Sequence, residues 1–204
     1  MRRSKYNSSV APVFRIEFGG GFILLLALIW FFDDSGLLAA LLPAVLAHEL
    51  GHILFLSFFG ARPTKLGASL SGLKIDYSGS MTEAQEMLAA LAGPAFGLVT
   101  AVACSVTGRL YNSEYLLMSG GLGFVINIFN FLPAEPLDGG RVLSFVLRAF
   151  LGEGRARGAL RITGFLTAFL LCGSGSYLIS KGLGPALLIA GVWLFILQSE
   201  KSCK

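Results

Sequence analysis

Gly36-Leu37-Leu38-Ala39-Ala40-Leu41-Leu42-Pro43-Ala44-Val45-Leu46-Ala47-His48-Glu49-Leu50-Gly51-His52-Ile53-Leu54-Phe55-Leu56-Ser57-Phe58-Phe59 is an apolar run with three ionisable residues set within five positions. Its length suits a membrane-crossing helix, which needs ~20 residues, range ~17–25. Ionisable groups at such depth are costly, and they persist when paired, metal-bound or lining a wet cavity. Histidines four apart share one helical face, about a turn apart, so both imidazoles can reach one Zn²⁺ at ~2.0–2.1 Å. Glu49 between them is not needed as a ligand. It is free to take a proton from water and hand it to a leaving amine. His48 and His52 are the two histidines of the chain.

The rest of the sequence agrees with a membrane setting. Of 204 residues, 54% are hydrophobic and 14% charged, and the mean hydropathy is +0.73. Soluble domains carry roughly 25% charged residues, so there is too little charge here to coat a water-facing surface. The net charge of +4 does not call for nucleic acid, because basic residues also collect on the cytoplasmic side of membrane proteins. Cys104, Cys172 and Cys203 have no metal spacing and suggest no disulfide framework.

Six apolar stretches run roughly over 16–32, 36–59, 87–107, 115–133, 160–180 and 183–198. With a cytoplasmic N-terminus, the inside segments hold Arg2, Arg3, Lys5, Arg15, Arg62, Lys65, Lys74, Arg141, Arg148, Arg155, Arg157, Arg161, Lys201 and Lys204, leaving Arg109 and Lys181 outside. This asymmetry predicts six spans with both ends cytoplasmic. The basic start Met1-Arg2-Arg3-Ser4-Lys5 reads as the lead into an uncleaved first span, entered through a flexible Gly19-Gly20-Gly21 run. In the segment 61–86, Leu66, Ala68 and Leu70 alternate with polar or small residues, and after Ser71-Gly72 the alternation resumes at Leu73, Ile75 and Tyr77. Two short alternating runs around a glycine turn predict a β-hairpin. Thr82, with Glu83 and Glu86 after it, opens the third helix. Segment 150–160, rich in Gly and Arg, reads as a tether. The expected fold is thus an all-α polytopic membrane protein of about six transmembrane helices with a small β-hairpin insertion after the second. Its parts are an N-terminal cytoplasmic segment and first helix (1–35), a three-helix catalytic core with a hairpin region at 61–80 (36–150), and a linker with two C-terminal helices (151–204).

A catalytic zinc usually has three protein ligands and one open position. Asp138 is the best third donor. It follows an apolar run in Asn127-Ile128-Phe129-Asn130-Phe131-Leu132-Pro133-Ala134-Glu135-Pro136-Leu137-Asp138-Gly139-Gly140-Arg141. The two prolines stop the helix there, and the paired glycines permit an unusual backbone path beside the acid. Broken backbone at membrane depth is tolerated where it is buried or lines an aqueous cavity. Glu135 is the rival ligand.

His48-Glu49-Leu50-Gly51-His52 together with Asn130 to Arg141 resembles the site-2 protease family, peptidase family M50, and Leu91-Ala92-Gly93-Pro94 resembles a further family feature. The likeness covers roughly residues 36–148. The compact form resembles the branch of the bacterial stage IV sporulation protease. It lacks the PDZ insertion of other members and the C-terminal CBS domain, so control by ATP is not implied. The resemblance implies one Zn²⁺ per chain held by His48, His52 and Asp138, with Glu49 as the catalytic residue and Asn130 near the substrate. It implies a bacterial cell-membrane location, a transmembrane protein as substrate and a regulatory membrane protein as a further partner. Glu135 departs from the family pattern, where a hydrophobic or small residue is usual. Two other readings compete. One is a catalytically inactive, client-binding relative. The other is a zinc transporter, which would supply more ligands along a path and often an inverted repeat.

Overall fold

The computed structural model describes residues 15–69 and 72–202. Strand β1 (Arg15–Phe18) leads into helix α1 (Gly20–Phe32), and helix α2 (Leu37–Phe58) follows. A hairpin of β2 (Arg62–Ser69) and β3 (Gly72–Ser78) separates α2 from α3 (Glu83–Leu110). The chain ends in α4 (Glu114–Asn130), α5 (Asp138–Ser180) and α6 (Ala186–Ser202). The molecule is therefore mostly helical with one small sheet. By length and composition, α2, α3 and α5 are long and apolar enough to cross a membrane, and α6 adds a shorter apolar stretch, Ala186–Glu200.

Small residues let the helices approach. In α2 the buried face is Ala40, Ala44, Ala47, His48, Gly51, His52 and Leu56, which recur at helical spacing. A Cβ on Gly51 would lie 2.5 Å from the Ala92 carbonyl oxygen of α3. A Cβ on Gly123 of α4 would lie 3.0 Å from Ala101 of α3 and 3.4 Å from Ala44 of α2. Where lipid tails are as apolar as leucine, such close packing takes over from hydrophobic burial as the force between helices.

Pro43 sits inside α2 without ending it. Proline has no N–H, so the carbonyl of Ala39, one turn earlier, loses its helical partner. The Tyr115 hydroxyl of α4 donates to that oxygen at 3.1 Å. At the other end of the bundle, Thr82 caps α3: its side chain accepts from Gln85 N at 3.3 Å, while Gln85 Oε1 accepts from Thr82 N at 2.9 Å. This reciprocal box satisfies two otherwise orphaned donors, and it starts α3 where Thr82 marked it in the sequence.

The hairpin forms as expected, with antiparallel pairing from Arg62↔Ser78 to Ser69↔Gly72. The turn residues Leu70 and Ser71 lie outside the described residues, as do Cys203 and the basic start Met1 to Lys5. Two expectations need correction. The first apolar stretch does not begin as helix. Residues Arg15–Phe18 extend along β2 as a parallel third strand, with Arg15↔Lys65 to Phe18↔Ala68 in register. The Lys65–Glu17 ion pair at 2.6 Å and the Gly19 N–H to Ala68 carbonyl bond at 2.8 Å fix this strand. Gly19 is therefore a docked N-cap position rather than a flexible entry. The second correction concerns 150–160, which is not a tether. Helix α5 runs across it, interrupted only at Gly152, whose φ of 74° and ψ of 164° are non-helical. Ala156 and Leu160 are buried just beyond the break, and this tertiary packing overrides the low helix propensity of Gly154 and Gly158. An unbroken helix of 43 residues would span about 65 Å, twice the ~30 Å hydrocarbon core. Gly152 divides it.

Candidate metal centre

Two donors come from one helix. His48 and His52 lie one turn apart on the buried face of α2, with rings 4.8 Å apart between centroids. Each ring is held by its far nitrogen. His48 Nδ1–H donates to Asn127 Oδ1 at 2.8 Å, and Asn127 Nδ2 in turn donates to the Gly123 carbonyl at 2.7 Å. That second bond orients the amide so that its oxygen faces the imidazole. His52 Nδ1–H donates to the Ala89 carbonyl of α3 at 2.7 Å. With both Nδ1 atoms protonated, both Nε2 atoms present a bare lone pair. Gly93 makes room for this: a Cβ there would run into the His52 ring.

The third donor comes from a different construction. After α4 ends at Asn130, a loop over 131–137 turns the chain back, and Asp138 is the first residue of α5. A helix N-terminus favours a carboxylate. The paired glycines turn out to matter by their missing side chains. A Cβ on Gly139 would meet the Phe131 carbonyl, and one on Gly140 would meet the Ala134 backbone. The first turn of α5 thus presses directly against the loop, and the acid is aimed inward. Arg141 Nη1 reaches Asp138 Oδ1 at 3.5 Å, leaving Oδ2 toward the histidines.

Asp138 Oδ2 lies 3.2 Å from His48 Nε2 and 3.2 Å from His52 Nε2, and the two Nε2 atoms are 3.2 Å apart. A tetrahedral zinc with ligand distances of ~2.0–2.1 Å has donor–donor edges of ~3.3–3.4 Å. The three-sided face is nearly that size. In the neutral tautomers that the Nδ1 bonds favour, all three atoms are acceptors, and all three residues are buried. Such a trio could hold a metal ion, and the two-imidazole, one-carboxylate set suits zinc. Among the described residues this is the group of His, Cys, Asp and Glu side chains with that geometry. Glu135, the rival, is not part of it.

A cavity of about 330 Å³ adjoins the donors. Glu49 and Asn130 line it, and it reaches Ile75 and Tyr77 of β3 and Glu86 at the start of α3. Asn130 Nδ2 donates to the Ile126 carbonyl at 3.2 Å. The Tyr77 hydroxyl donates to Glu86 Oε1 at 2.8 Å. Burial, then that acidic partner, pushes the Tyr77 phenol up to about 12. Asn127 belongs to no motif or spacing that marks it in the sequence. A signal existed: it is a polar residue within an apolar span, and such residues are expensive unless paired.

No family model matches the chain. A curated Synechocystis sp. protein bearing a provisional zinc metalloprotease name is 32% identical over 126 residues, which is 58% of this chain and 33% of the relative. The chain thus spans about a third of that relative's length. Among solved structures, the site-2 protease from Methanocaldococcus jannaschii is similar in fold, with a TM-score of 0.69, 23% identity and coverage of 92% of this chain and 90% of that one. The chain thus has the fold seen in the Methanocaldococcus jannaschii site-2 protease, and over part of its length it is similar in sequence to a zinc metalloprotease.

Proposed function

We propose that the protein is an intramembrane zinc metalloprotease that hydrolyses peptide bonds in or near transmembrane segments of other membrane proteins. The observation that carries this reading is the convergence of three bare acceptor atoms, His48 Nε2, His52 Nε2 and Asp138 Oδ2, beside a cavity lined by Glu49. A zinc ion bound there would supply Lewis acidity, acidifying water and polarising a scissile carbonyl.

The protein's own residues do the rest. His48 and His52 arrive with the correct ring nitrogen bare because Asn127 and Ala89 hold the other one. Glu49 takes the proton of the attacking water and returns it to the departing amine nitrogen. Asn130 faces the same cavity and offers an amide to the substrate backbone or the developing oxyanion. A substrate helix hides its carbonyls in hydrogen bonds, so it must unwind before cleavage. β3 is an edge strand of the sheet, and Ile75 and Tyr77 bring it to the cavity. It would pair with the unwound segment by strand addition.

In this reading the chain crosses a bacterial cell membrane six times, with both termini cytoplasmic, a regulatory membrane protein as further partner and water entering from the hairpin side. The main test is zinc content together with cleavage of co-expressed single-span substrates. Wild type should hold one zinc and cleave. Glu49→Gln should hold zinc and not cleave, and Asp138→Ala should lose both. Cleavage by Glu49→Gln would sink the mechanism. Zinc flux into vesicles without proteolysis would favour a transporter, and zinc retention with no cleavage of any substrate would favour an inactive client-binding relative. Proline substitutions along Leu73–Tyr77 that left cleavage intact would remove strand addition.

A further inference from the structure

Gln198 is a long polar residue at the C-terminal end of the apolar run of α6, yet it is 4% exposed. Polar groups kept in apolar helices call for a partner and a purpose. Its partner is the backbone of the loop that delivers Asp138: Gln198 Nε2 donates to the Glu135 carbonyl. The side chain reaches that oxygen through a notch in α5, where a Cβ on Gly164 would lie 2.7 Å from Gln198 Cδ. One turn earlier, Leu194 is fully buried in a cluster with Ala134 and Leu137 of the same loop and with Ala168 of α5. Leu137 is the residue directly before the acid. Trp193, beside Leu194, lines the cavity itself. Thus α6 touches the loop at three residues before Asp138, at four before it and at the one adjoining it, by an amide and by packing.

We propose that α6 is the positioning element for the third metal donor, and that Gln198 is the positioning residue within it. The inference rests on the metal reading above. Within the loop, Ala134 N donates to the Leu132 carbonyl and Leu137 N to the Ala134 carbonyl. Holding the Glu135 carbonyl removes a degree of freedom that would otherwise let the carboxylate drift from the imidazoles. Outer partners of metal ligands typically set affinity by ~10–100-fold. An effect passed through backbone belongs at the lower end.

The test is zinc affinity by chelator competition on the full chain in lipid nanodiscs, with thermal stability read in parallel. Gln198→Met keeps the length and removes the donor, and it should weaken zinc about tenfold. Gly164→Ala, which fills the notch, should do the same, and the double variant should be no worse than either single one. Gly175→Ala is the control. It disturbs the same helix pair at Leu188, about 15 Å back along α6, and should lower stability while leaving affinity unchanged. If Gln198→Met does not yield folded protein, Gln198→Asn, one methylene short of the Glu135 carbonyl, reads the same contact. Wild-type affinity in the Gln198 variants, or an equal loss in Gly175→Ala, overturns the inference while the metal reading stands. Zinc binding that is indifferent to His48→Ala overturns the metal reading and this inference with it.

Discussion

The two halves of the donor set are built in opposite ways. The histidine half is one stretch of regular helix, where spacing alone brings His48 and His52 together, and neighbours in α3 and α4 only choose the nitrogen that faces the metal. The carboxylate half is a loop and a helix start, where no regular spacing fixes Asp138 in space. Its position depends on close backbone packing at Gly139 and Gly140, on Arg141, and on α6 behind the loop. Helical geometry is self-supporting, and loop geometry has to be held from outside. The histidine half should therefore tolerate changes in backbone packing around it better than the carboxylate half, provided the ligands and the groups that orient them are kept.

The largest effect should come from removing a ligand. His48→Ala and Asp138→Ala should each abolish stoichiometric zinc and cleavage, measured by metal analysis and substrate processing. Equal zinc in both variants and wild type would erase the comparison. Glu49→Gln should keep zinc and lower the cleavage rate by ~10²–10⁴, the usual weight of a general acid–base. Next come the supports. Asn127→Leu leaves His48 Nδ1 without its acceptor and should weaken zinc ~10–100-fold with cleavage falling in parallel. A milder loss than this would sharpen the claim that the helix half supports itself.

Glycine substitutions test packing directly. Gly140→Ala forces a Cβ into the Ala134 backbone, while Gly93→Ala forces one into the His52 side chain, which can shift at the cost of its bond to the Ala89 carbonyl. Overpacking costs ~1–3 kcal/mol, and Gly140→Ala should lie at the upper end because backbone cannot step aside. Thermal unfolding of the two variants ranks them. A Gly93→Ala variant less stable than Gly140→Ala would reverse the comparison.

The smallest effect concerns Tyr77 at the cavity's outer end. Its folded value of about 12 lies above the ordinary phenol value near 10. A raised value means that the folded protein holds the proton more tightly. The stability this contributes is complete below pH ~10 and is lost as pH climbs toward ~12. Phenolate absorbance should show one late-titrating tyrosine that disappears in Tyr77→Phe, with little change in zinc.

The contrast also explains what was legible in the sequence. His48, Glu49 and His52 could be read because their relation is a helical period. Asp138 could be read because Pro133, Pro136 and the glycines mark a break with an acid beside it. Asn127 and Gln198 could not be assigned partners, since each meets a residue remote in sequence and no local period points there. The hairpin was visible as alternation, whereas β1 was not, because its parallel partner β2 lies across two helices. The glycines of 150–160 were legible, but as a tether rather than as one break at Gly152 within a helix. The buried Ala156 and Leu160, which restart the helix, depend on packing that sequence spacing does not disclose.

Tyr115 has one more consequence. Because Pro43 leaves the Ala39 oxygen to a hydroxyl on the next helix, one rung of α2's own ladder has been moved to α4. Together with the His48–Asn127 contact, this gives two pins between the same pair of rods. A slide of α2 by a single turn, ~5.4 Å, would have to withdraw both at once. The histidine-bearing rod is thus indexed along its axis, like a bolt in a detent, and whatever motion admits a substrate has to occur in other parts of the bundle.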